Sequence, residues 1–383
     1  MFGSRREVTS AVRRLVDIGM VELSDDPPIV ESGCFCVSKP GSTARRLIID
    51  CRPVNRLLRD PPGVDLPTPE LFARMSARDG FWVAKSDLSD FYHMIALPPD
   101  WRPFFGLPAV MIDGVVRYPR LRSLPMGWSF SVFIAQLMHM HMISEAALSV
   151  PCRILSRRGS GGTVNVDSVP LVACYIDDVG VIGSDRDRVN AVQQSYMTVA
   201  ARYGFVLKPS KTVRASRRVS LLGVTLDGEQ CMLEAGQDRV LAAVQLAGRV
   251  CQTAAVCSED LAAVVGKFNW LFLIRRPLLS VFNNVYRWLV RYSKRPGPHP
   301  LWECCRRELA CAAGLAVCAF ADLRLPLSNR IIAADASGAG YGVVSARSGS
   351  AAAEFAAAIM APPSCGKIDR SALYSRLIAV VYR

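Results

Sequence analysis

Long hydrophobic runs are absent from this sequence. The longest nearly unbroken apolar stretch, residues 309–321, has 13 residues, whereas a membrane-spanning helix needs about 20. The first ten residues, MFGSRREVTS, are basic but are not followed by an apolar stretch, so they lack the pattern of a signal peptide. We therefore expect an intracellular protein, in the cytoplasm or nucleus, without a membrane partner.

Histidine is scarce, and the cysteines are scattered along the chain. The chain has 4 histidines and 13 cysteines, with no Cys-x-x-Cys motif. This pattern argues against both a zinc module and a disulfide framework. Cys304, Cys311 and Cys318 recur every seven residues, a spacing that predicts one buried helix stripe rather than a set of metal ligands.

Basic residues exceed acidic ones. Lysine plus arginine number 46 against 33 for aspartate plus glutamate, which gives a formal net charge of +13. Such a balance favours a polyanionic partner, with nucleic acid as the first candidate. A basic enzyme with a solvated surface explains the charge equally well. The hydrophobic content of 51% over 383 residues excludes wholesale disorder and allows two or three domains.

Hydrophobic periodicity predicts the order of the main elements. We expect a helix over residues 4–23, strands over 34–38, 46–50 and 81–88, a helix over 129–148, a hairpin of strands 171–175 and 179–183, and helices throughout 237–292. The linker RPGPHP precedes a further helix, and IIAAD starts a new strand. The predicted domains are therefore 1–230, 231–328 and 329–383.

The most distinctive local feature is Tyr175-Ile176-Asp177-Asp178, placed between two apolar strands. Two adjacent carboxylates repel each other unless cations neutralise them, and their oxygens suit Mg²⁺. Two metal ions need a third carboxylate, and Asp87 supplies one at the end of the strand FWVAKSD. As an isolated pair, Asp177 and Asp178 more often indicate a solvated turn.

Five further segments favour a metal-binding role for Asp177 and Asp178 over a solvated turn. In chain order with YIDD (175–178) they are SKPGSTARRLIIDCRPVN (38–55), DLSDFYHMIAL (87–97), LPMGWSFSVFIAQ (124–136), GFVLKPSK (204–211) and LLGVTLD (221–227). The ordered set, over about residues 15 to 230, resembles the reverse transcriptases of retroviruses and retrotransposons. Each segment alone is weak, whereas six in the correct order are highly specific.

The resemblance implies an α+β fold, a right-hand polymerase with fingers, palm and thumb. It implies RNA-directed DNA polymerisation, in which a primer 3′-hydroxyl attacks a dNTP through two Mg²⁺ ions, with Mn²⁺ as a substitute. The implied partners are an RNA or DNA template with its primer, dNTPs, and other retroelement domains or subunits. Residues 237–292 fit the position of a thumb, although a plain helical core has the same pattern.

The resemblance also implies roles for individual residues. Asp87, Asp177 and Asp178 would hold the metal ions, and the carbonyl of Leu88 would add an oxygen ligand. The remaining implied residues serve the nucleotide: Lys39 and Arg46 on the triphosphate, Tyr92 against a ribose 2′-hydroxyl, Gly127 at a close backbone approach, and Lys211 as general acid. An ordinary exposed charge explains Lys39 or Lys211 equally well, and a core aromatic explains Tyr92.

The C-terminal segment suggests an incomplete second unit. AADASGAGYGVV (333–344) resembles the first strand and turn of a ribonuclease H domain, with Asp335 at its first metal carboxylate. In KIDRSALYSRLIAVV (367–381), Ala372 stands where the family has a catalytic glutamate, and Glu354 cannot be placed in the site. Two-metal hydrolysis needs several carboxylates. We therefore expect a ribonuclease H-like α/β unit, truncated or retained for packing, that does not cleave RNA.

Two rival functions remain open at this point. An RNA-directed RNA polymerase shares the palm carboxylates, but Tyr92 argues against it. A catalytically inactive, nucleic-acid-binding remnant of a retroelement would explain the incomplete C-terminal unit. The three intact carboxylates argue against the remnant, since a drifting sequence has no chemical reason to keep them.

Overall fold

The computed structural model describes residues 5–38, 45–156, 164–326, 330–337, 340–347 and 349. The α-helices in these residues are α1 (Arg5–Asp17), α2 (Arg52–Asn55), α3 (Pro69–Ala73), α4 (Phe91–Met94), α5 (Ser131–Ser149), α6 (Arg186–Arg202), α7 (Gln237–Gln252), α8 (Ser258–Phe272), α9 (Asn284–Tyr292) and α10 (Glu303–Leu315). Short 3₁₀ helices cover Pro99–Phe105, Pro209–Lys211, Arg276–Val281 and Ala316–Cys318.

The strands in the first half of the chain are β1 (Val21–Ser24), β2 (Cys34–Ser38), β3 (Arg45–Ile49), β4 (Met75–Ser76), β5 (Trp82–Asp87), β6 (Val110–Ile112), β7 (Val115–Leu121), β8 (Arg153–Ile154), β9 (Val164–Asn165), β10 (Leu171–Tyr175) and β11 (Asp178–Gly183). Those in the second half are β12 (Val213–Ser216), β13 (Arg218–Leu221), β14 (Val224–Asp227), β15 (Met232–Ala235), β16 (Ala255–Val256), β17 (His299–Pro300), β18 (Phe320–Asp322), β19 (Arg330–Ser337) and β20 (Gly340–Arg347). Helices and strands both contribute extensively, so the predicted α+β class is confirmed.

The chain divides into two compact units, each built from separate segments. The first comprises Met1–Val64, Asp87–Ala146 and Tyr196–Pro209. The second comprises Asp65–Ser86, Ala147–Ser195 and Ser210–Arg383. One boundary between the two units falls inside β5, between Ser86 and Asp87. The domain boundaries near residues 230 and 328 stay predictions.

The first unit begins with a helix that is shorter than its sequence predicts. The expected helix over 4–23 ends at Asp17, and β1 then pairs with β7 in a sheet of order β1-β7-β6. Gly19 ends the helix because its φ of +75° is left-handed. The Gly19 N–H donates to the Val16 carbonyl at 2.9 Å and the Met20 N–H to the Leu15 carbonyl at 2.9 Å, the bonds of a Schellman cap.

The first unit also contains the predicted hairpin of β2 and β3. The strands pair antiparallel from Cys34 opposite Ile49 to Ser38 opposite Arg45, which confirms the short strands expected there. Cys34 and Ile49 are buried at the base, whereas Phe35 and Val37 are exposed. The hairpin therefore extends from a buried base to a solvated end.

The second unit is organised around a sheet of order β12-β5-β11-β10-β8. Its central strands are buried, which fits the nearly continuous apolar sequences of LVACY and VGVIG. The predicted hairpin of β10 and β11 is present. Tyr175 pairs with Asp178, so Asp178 is the first residue of β11 and the turn consists of Ile176 and Asp177 alone.

A second sheet, of order β13-β14-β15-β18, lies in the same unit as the longer C-terminal helices. Their largest buried side chains include Phe268, Phe272 and Trp288. The helix expected throughout 237–292 is three helices and a 3₁₀ turn, which Pro277 helps to start because its φ is fixed. The predicted buried cysteine stripe is wrong, because Cys304 and Cys311 of α10 are exposed. The buried cysteine of this helix is Cys305.

The last described elements form an antiparallel hairpin of β19 and β20, in which Asp335 is opposite Gly342. Glu354 and Ala372, which entered the expectation of an inactive ribonuclease H-like unit, lie outside the described residues. Among the helices that the structure describes, none combines the length and the apolar character that crossing a membrane requires.

Candidate active site

Asp87 is the last residue of β5 and is almost completely buried, with its side chain 1% exposed. The Lys208 ammonium lies 2.9 Å from its Oδ1. The backbone fixes this meeting: Leu88 forms a β-bridge with Leu207, and the Lys208 N–H donates to the Asp87 carbonyl at 2.9 Å. Lys208 Nζ also donates to the Leu88 carbonyl at 3.4 Å. One ammonium therefore contacts both the carboxylate and the neighbouring carbonyl.

Asp178, the first residue of β11, faces a second lysine. Lys85 Nζ lies 3.6 Å from Asp178 Oδ1, and the two side chains are 19% and 24% exposed. Lys85 is two residues before Asp87 in β5, so both side chains point to one face of the strand. Since β5 is the neighbour of β11, this ion pair crosses from one strand to the next.

The turn between β10 and β11 positions Asp177. Ile176 has φ +55°, a left-handed conformation that is unfavourable for a β-branched residue. A two-residue hairpin turn requires positive φ values of this kind. Backbone strain of this type persists only where the surrounding structure enforces it, and here the buried strands on both sides do so. The conformation projects Asp177 at the tip of the hairpin.

Gln193, in α6, was not identified from the sequence. Its buried Nε2, with two hydrogens to donate, lies within hydrogen-bond distance of three acceptors: the Lys85 carbonyl at 3.0 Å, Ser86 Oγ at 3.1 Å and the Val213 carbonyl at 2.9 Å. These bonds fix the end of β5 against β12. A polar residue in an otherwise helical segment carries no sequence signal for such a role.

The chemistry of these groups suits a divalent cation, although no ready-made cluster is present. In the described part of the chain, no group of three or more histidine, cysteine, aspartate or glutamate side chains is arranged to hold a metal ion. Instead, Asp87 faces Lys208 and Asp178 faces Lys85. Carboxylate and carbonyl oxygens are the ligands that Mg²⁺ prefers. The Lys208 ammonium on two such oxygens indicates that this position accepts a cation.

Tyr92 lies in α4, directly after the buried Phe91. The Phe91 ring contacts the His139 ring at a centroid distance of 5.5 Å and the Phe205 ring at 5.1 Å. Buried His139 in turn shares a 2.8 Å hydrogen bond with the Tyr196 hydroxyl. The Phe91 side chain thus anchors the short helix, while Tyr92 is only partly buried.

Gly127 approaches a backbone atom of the protein closely, whereas its expected approach to the nucleotide stays a prediction. Its φ is +118°, and a Cβ at this position would lie 2.7 Å from the Ile49 carbonyl oxygen. The close neighbour is thus the end of β3. Asn55, which sequence reasoning missed, fixes the same turn: Nδ2 donates to the Gly127 carbonyl at 3.0 Å, and Oδ1 accepts from the Ser129 N–H at 3.0 Å.

The basic residues expected around a triphosphate have different positions. Arg46 is exposed in β3, opposite Val37, and Lys39 lies outside the described residues. Lys211 is exposed at the end of the 3₁₀ helix Pro209–Lys211. The lysine that contacts Asp87 is Lys208, which the sequence pattern did not single out. Its signal was present in GFVLKPSK, which contains two lysines three residues apart.

The family model described as "Reverse transcriptase (RNA-dependent DNA polymerase)" matches residues 37–226. A curated relative, the Gag-Pol polyprotein of bovine immunodeficiency virus (strain R29), is 25% identical over 204 residues, which are 50% of this chain and 12% of that protein. The chain therefore spans a small part of this relative.

Two of the solved structures with a similar fold are foamy viral enzymes. A protease-reverse transcriptase dRH in complex with double-stranded DNA has a TM-score of 0.61 at 12% identity, covering 89% of this chain and 56% of that chain. A protease-reverse transcriptase in complex with an RNA/DNA hybrid has a TM-score of 0.57 at 14% identity, covering 89% and 43%. At such low identity the likeness shows a shared fold.

Proposed function

We propose that this chain, whose residues 37–226 match the reverse transcriptase family model, is an RNA-directed DNA polymerase of a retroelement. The observation that carries the proposal is the placement of its acidic residues. Asp87 ends β5 with its side chain buried, whereas Asp178 begins β11 and Asp177 is at the tip of the β10–β11 hairpin. Both strand-end carboxylates already face cationic side chains.

In the proposed reaction, the chain supplies ligands and orientation. Asp87, Asp177 and Asp178, with the Leu88 carbonyl, hold two Mg²⁺ ions or Mn²⁺ in their place. When bound, such ions activate the primer 3′-hydroxyl and neutralise charge on the transferred and leaving phosphates. Asp87 and Asp178 are strand residues, and the hairpin turn orients Asp177. Positioning and charge neutralisation are the contributions that phosphoryl transfer mainly needs from a protein.

The nucleotide is positioned by residues around this centre. Arg46 and Lys39 bind the triphosphate, since a guanidinium can donate to two phosphate oxygens at once. Tyr92 excludes a ribose 2′-hydroxyl by steric contact. Gly127 keeps the LPMGW turn against β3, and Lys211 donates a proton to departing pyrophosphate.

The macromolecular partner is a primer annealed to an RNA or DNA template. The net charge of +13 supports binding to phosphates. The solved enzymes of similar fold are described in complex with double-stranded DNA and with an RNA/DNA hybrid. We propose the same class of ligand for this chain, and we expect binding to weaken steeply as salt rises.

The decisive experiment measures dNTP incorporation on an RNA template with a DNA primer, in Mg²⁺ and then in Mn²⁺. The variant is Asp177→Asn, and the matched control is Asp167→Asn, which alters an exposed carboxylate in another turn. We expect the parent and Asp167→Asn to incorporate dNTPs and Asp177→Asn to lose incorporation by about 10³-fold or more.

Each rival function has its own outcome in this assay. Binding of primer–template by the parent without incorporation in either metal would support the inactive remnant and overturn the proposal. Preferential incorporation of NTPs over dNTPs would support an RNA-directed RNA polymerase instead. Equal activity of parent and Asp177→Asn would show that the hairpin carboxylate is not part of the active site.

A further inference from the structure

We propose that Lys208 is a positioning residue that occupies the metal ligands Asp87 and Leu88 until a divalent cation displaces its ammonium. This inference rests on the proposed function, because it treats Asp87 and the Leu88 carbonyl as metal ligands. It assigns to Lys208 the role of setting how much divalent cation the enzyme needs. Lys211, the general-acid candidate, lies three residues further along the chain.

The geometry that supports the proposal is the shared contact of one ammonium with two oxygens. Lys208 Nζ lies 2.9 Å from Asp87 Oδ1 and 3.4 Å from the Leu88 carbonyl oxygen. In the proposed mechanism, the Asp87 carboxylate and the Leu88 carbonyl are both ligands of a metal ion. The same two oxygens cannot contact the lysine ammonium and coordinate a divalent cation at the same time. The two cations therefore compete for them.

Burial makes the contact energetically significant. The Asp87 side chain is 1% exposed, and that of Lys208 is 31% exposed. A buried carboxylate without a neighbouring cation is strongly unfavourable, so Lys208 stabilises the metal-free protein. The partly exposed lysine can move into solvent, whereas the carboxylate belongs to the end of a buried strand. Displacement would therefore move the lysine and leave the ligand oxygens in place.

The backbone around the pair keeps the lysine at this position. The Lys208 N–H donates to the Asp87 carbonyl at 2.9 Å, and the Ser89 N–H donates to the Val206 carbonyl at 2.7 Å. Residues 206–208 thus run beside residues 87–89 as a short ladder. Because the ladder is made of main-chain atoms, substituting the Lys208 side chain leaves it intact.

Metal affinity itself, without nucleic acid or turnover, tests the proposal. Mn²⁺ binding to the full chain is measured by electron paramagnetic resonance at pH 8, where a carboxyl group is ordinarily ionised. The variants are Lys208→Met, Lys208→Gln and the charge-retaining Lys208→Arg. Lys267→Met removes an exposed lysine from α8 as a matched control, and Asp87→Asn removes the ligand. Thermal unfolding verifies that each variant is folded.

We expect the Mn²⁺ dissociation constant to fall about tenfold in Lys208→Met and Lys208→Gln, since each removes a competing charged hydrogen-bond donor. Lys208→Arg and Lys267→Met should bind like the parent. In the polymerase assay, the Mg²⁺ concentration for half-maximal incorporation should fall in parallel in the two neutral variants.

The outcomes separate this inference from the function on which it rests. Unchanged or weaker Mn²⁺ binding in both neutral variants, with Asp87→Asn still impaired, would overturn competition by Lys208 and leave the polymerase proposal standing. Parent-like Mn²⁺ binding by Asp87→Asn would remove Asp87 from the metal site, and both proposals would then fail.

Discussion

The side-chain Nδ2 of Asn55 donates a 3.0 Å hydrogen bond to the backbone carbonyl of Gly127. The same side chain accepts a 3.0 Å bond from the Ser129 N–H through Oδ1. One amide therefore holds the backbone on both sides of Trp128, and it links the end of α2 to the LPMGW turn. The two bonded segments are 72 residues apart in the sequence.

Replacing Asn55 with alanine is expected to loosen this turn. Each lost hydrogen bond should lower the free energy of unfolding by about 1 kcal/mol. The KM for dNTP should rise more than kcat falls, because we propose that the turn lies against the nucleotide. Asn190→Ala is the matched control, since its Oδ1 also accepts one 3.0 Å backbone bond, from Ala215. A similar KM change in both variants would mean that Asn55 acts through stability alone.

A side chain at residue 127 is expected to be strongly destabilising. In Gly127→Ala, the new Cβ would lie 2.7 Å from the Ile49 carbonyl oxygen at a backbone φ of +118°. Strain and overpacking together should lower the free energy of unfolding by about 2–4 kcal/mol. Gly114→Ala is the control, because its φ is also positive but its Cβ would meet no atom within 4 Å; about 1 kcal/mol is expected there. Equal losses in chemical denaturation would contradict the close approach.

Tyr92 provides a test of sugar selection. Tyr92→Ala should lower the preference for dNTP over NTP by about ten- to a hundredfold in kcat/KM, since it removes the ring that we propose excludes a 2′-hydroxyl. Tyr92→Phe keeps the ring and should keep the preference. Single-nucleotide incorporation with each substrate measures the ratio. An unchanged ratio in an active Tyr92→Ala enzyme would leave Tyr92 as a packing residue of α4.

The strands that carry the carboxylates were predictable because their signals are local. LVACY, VGVIG and FWVAKSD are short apolar runs bounded by polar residues, and all three are strands. The exact register was not predictable, since the pairing of Tyr175 with Asp178 depends on the conformation of Ile176. The first helix was predicted to continue to residue 23 but ends at Asp17, because Gly19 adopts a left-handed conformation.

The contacts that the sequence did not reveal join distant segments. The bond from Lys208 to the Leu88 carbonyl spans 120 positions, and that from Gln193 to the Lys85 carbonyl spans 108. Neither a hydrophobic period nor a motif indicates which distant residue each of these side chains contacts, because such patterns report local structure. The roles of Arg46, Lys39 and Lys211 stay predictions.

Thiol reactivity should distinguish the cysteines sharply. Cys36, Cys304 and Cys311 are exposed, whereas burial raises the pKa of the Cys51 thiol to about 12 and that of Cys305 to about 12. Because the thiolate is the reactive form, a maleimide should label the three exposed cysteines of the native protein about a hundredfold faster than Cys51 and Cys305. Peptide mass spectrometry after timed labelling gives the rates. Rapid labelling of Cys51 in folded protein would show that the base of the β2–β3 hairpin opens.

The stability of the protein should depend on pH through His93. Burial lowers the pKa of this imidazole below its ordinary value of 6.5, against an opposing effect of Asp90. In the described residues its Nδ1 has no hydrogen-bond partner. The unfolded chain therefore binds a proton at a higher pH than the folded one, so the free energy of unfolding falls as pH drops below about 6.5.

His93→Gln should remove this dependence, because glutamine does not titrate. The measurement is urea denaturation at several pH values from about 7.5 to 5, a range that spans the ordinary histidine pKa. The parent is expected to lose stability toward acid with a steeper slope than His93→Gln. A parent and a His93→Gln variant with identical slopes would show that the His93 imidazole is protonated equally well in the folded and unfolded chains.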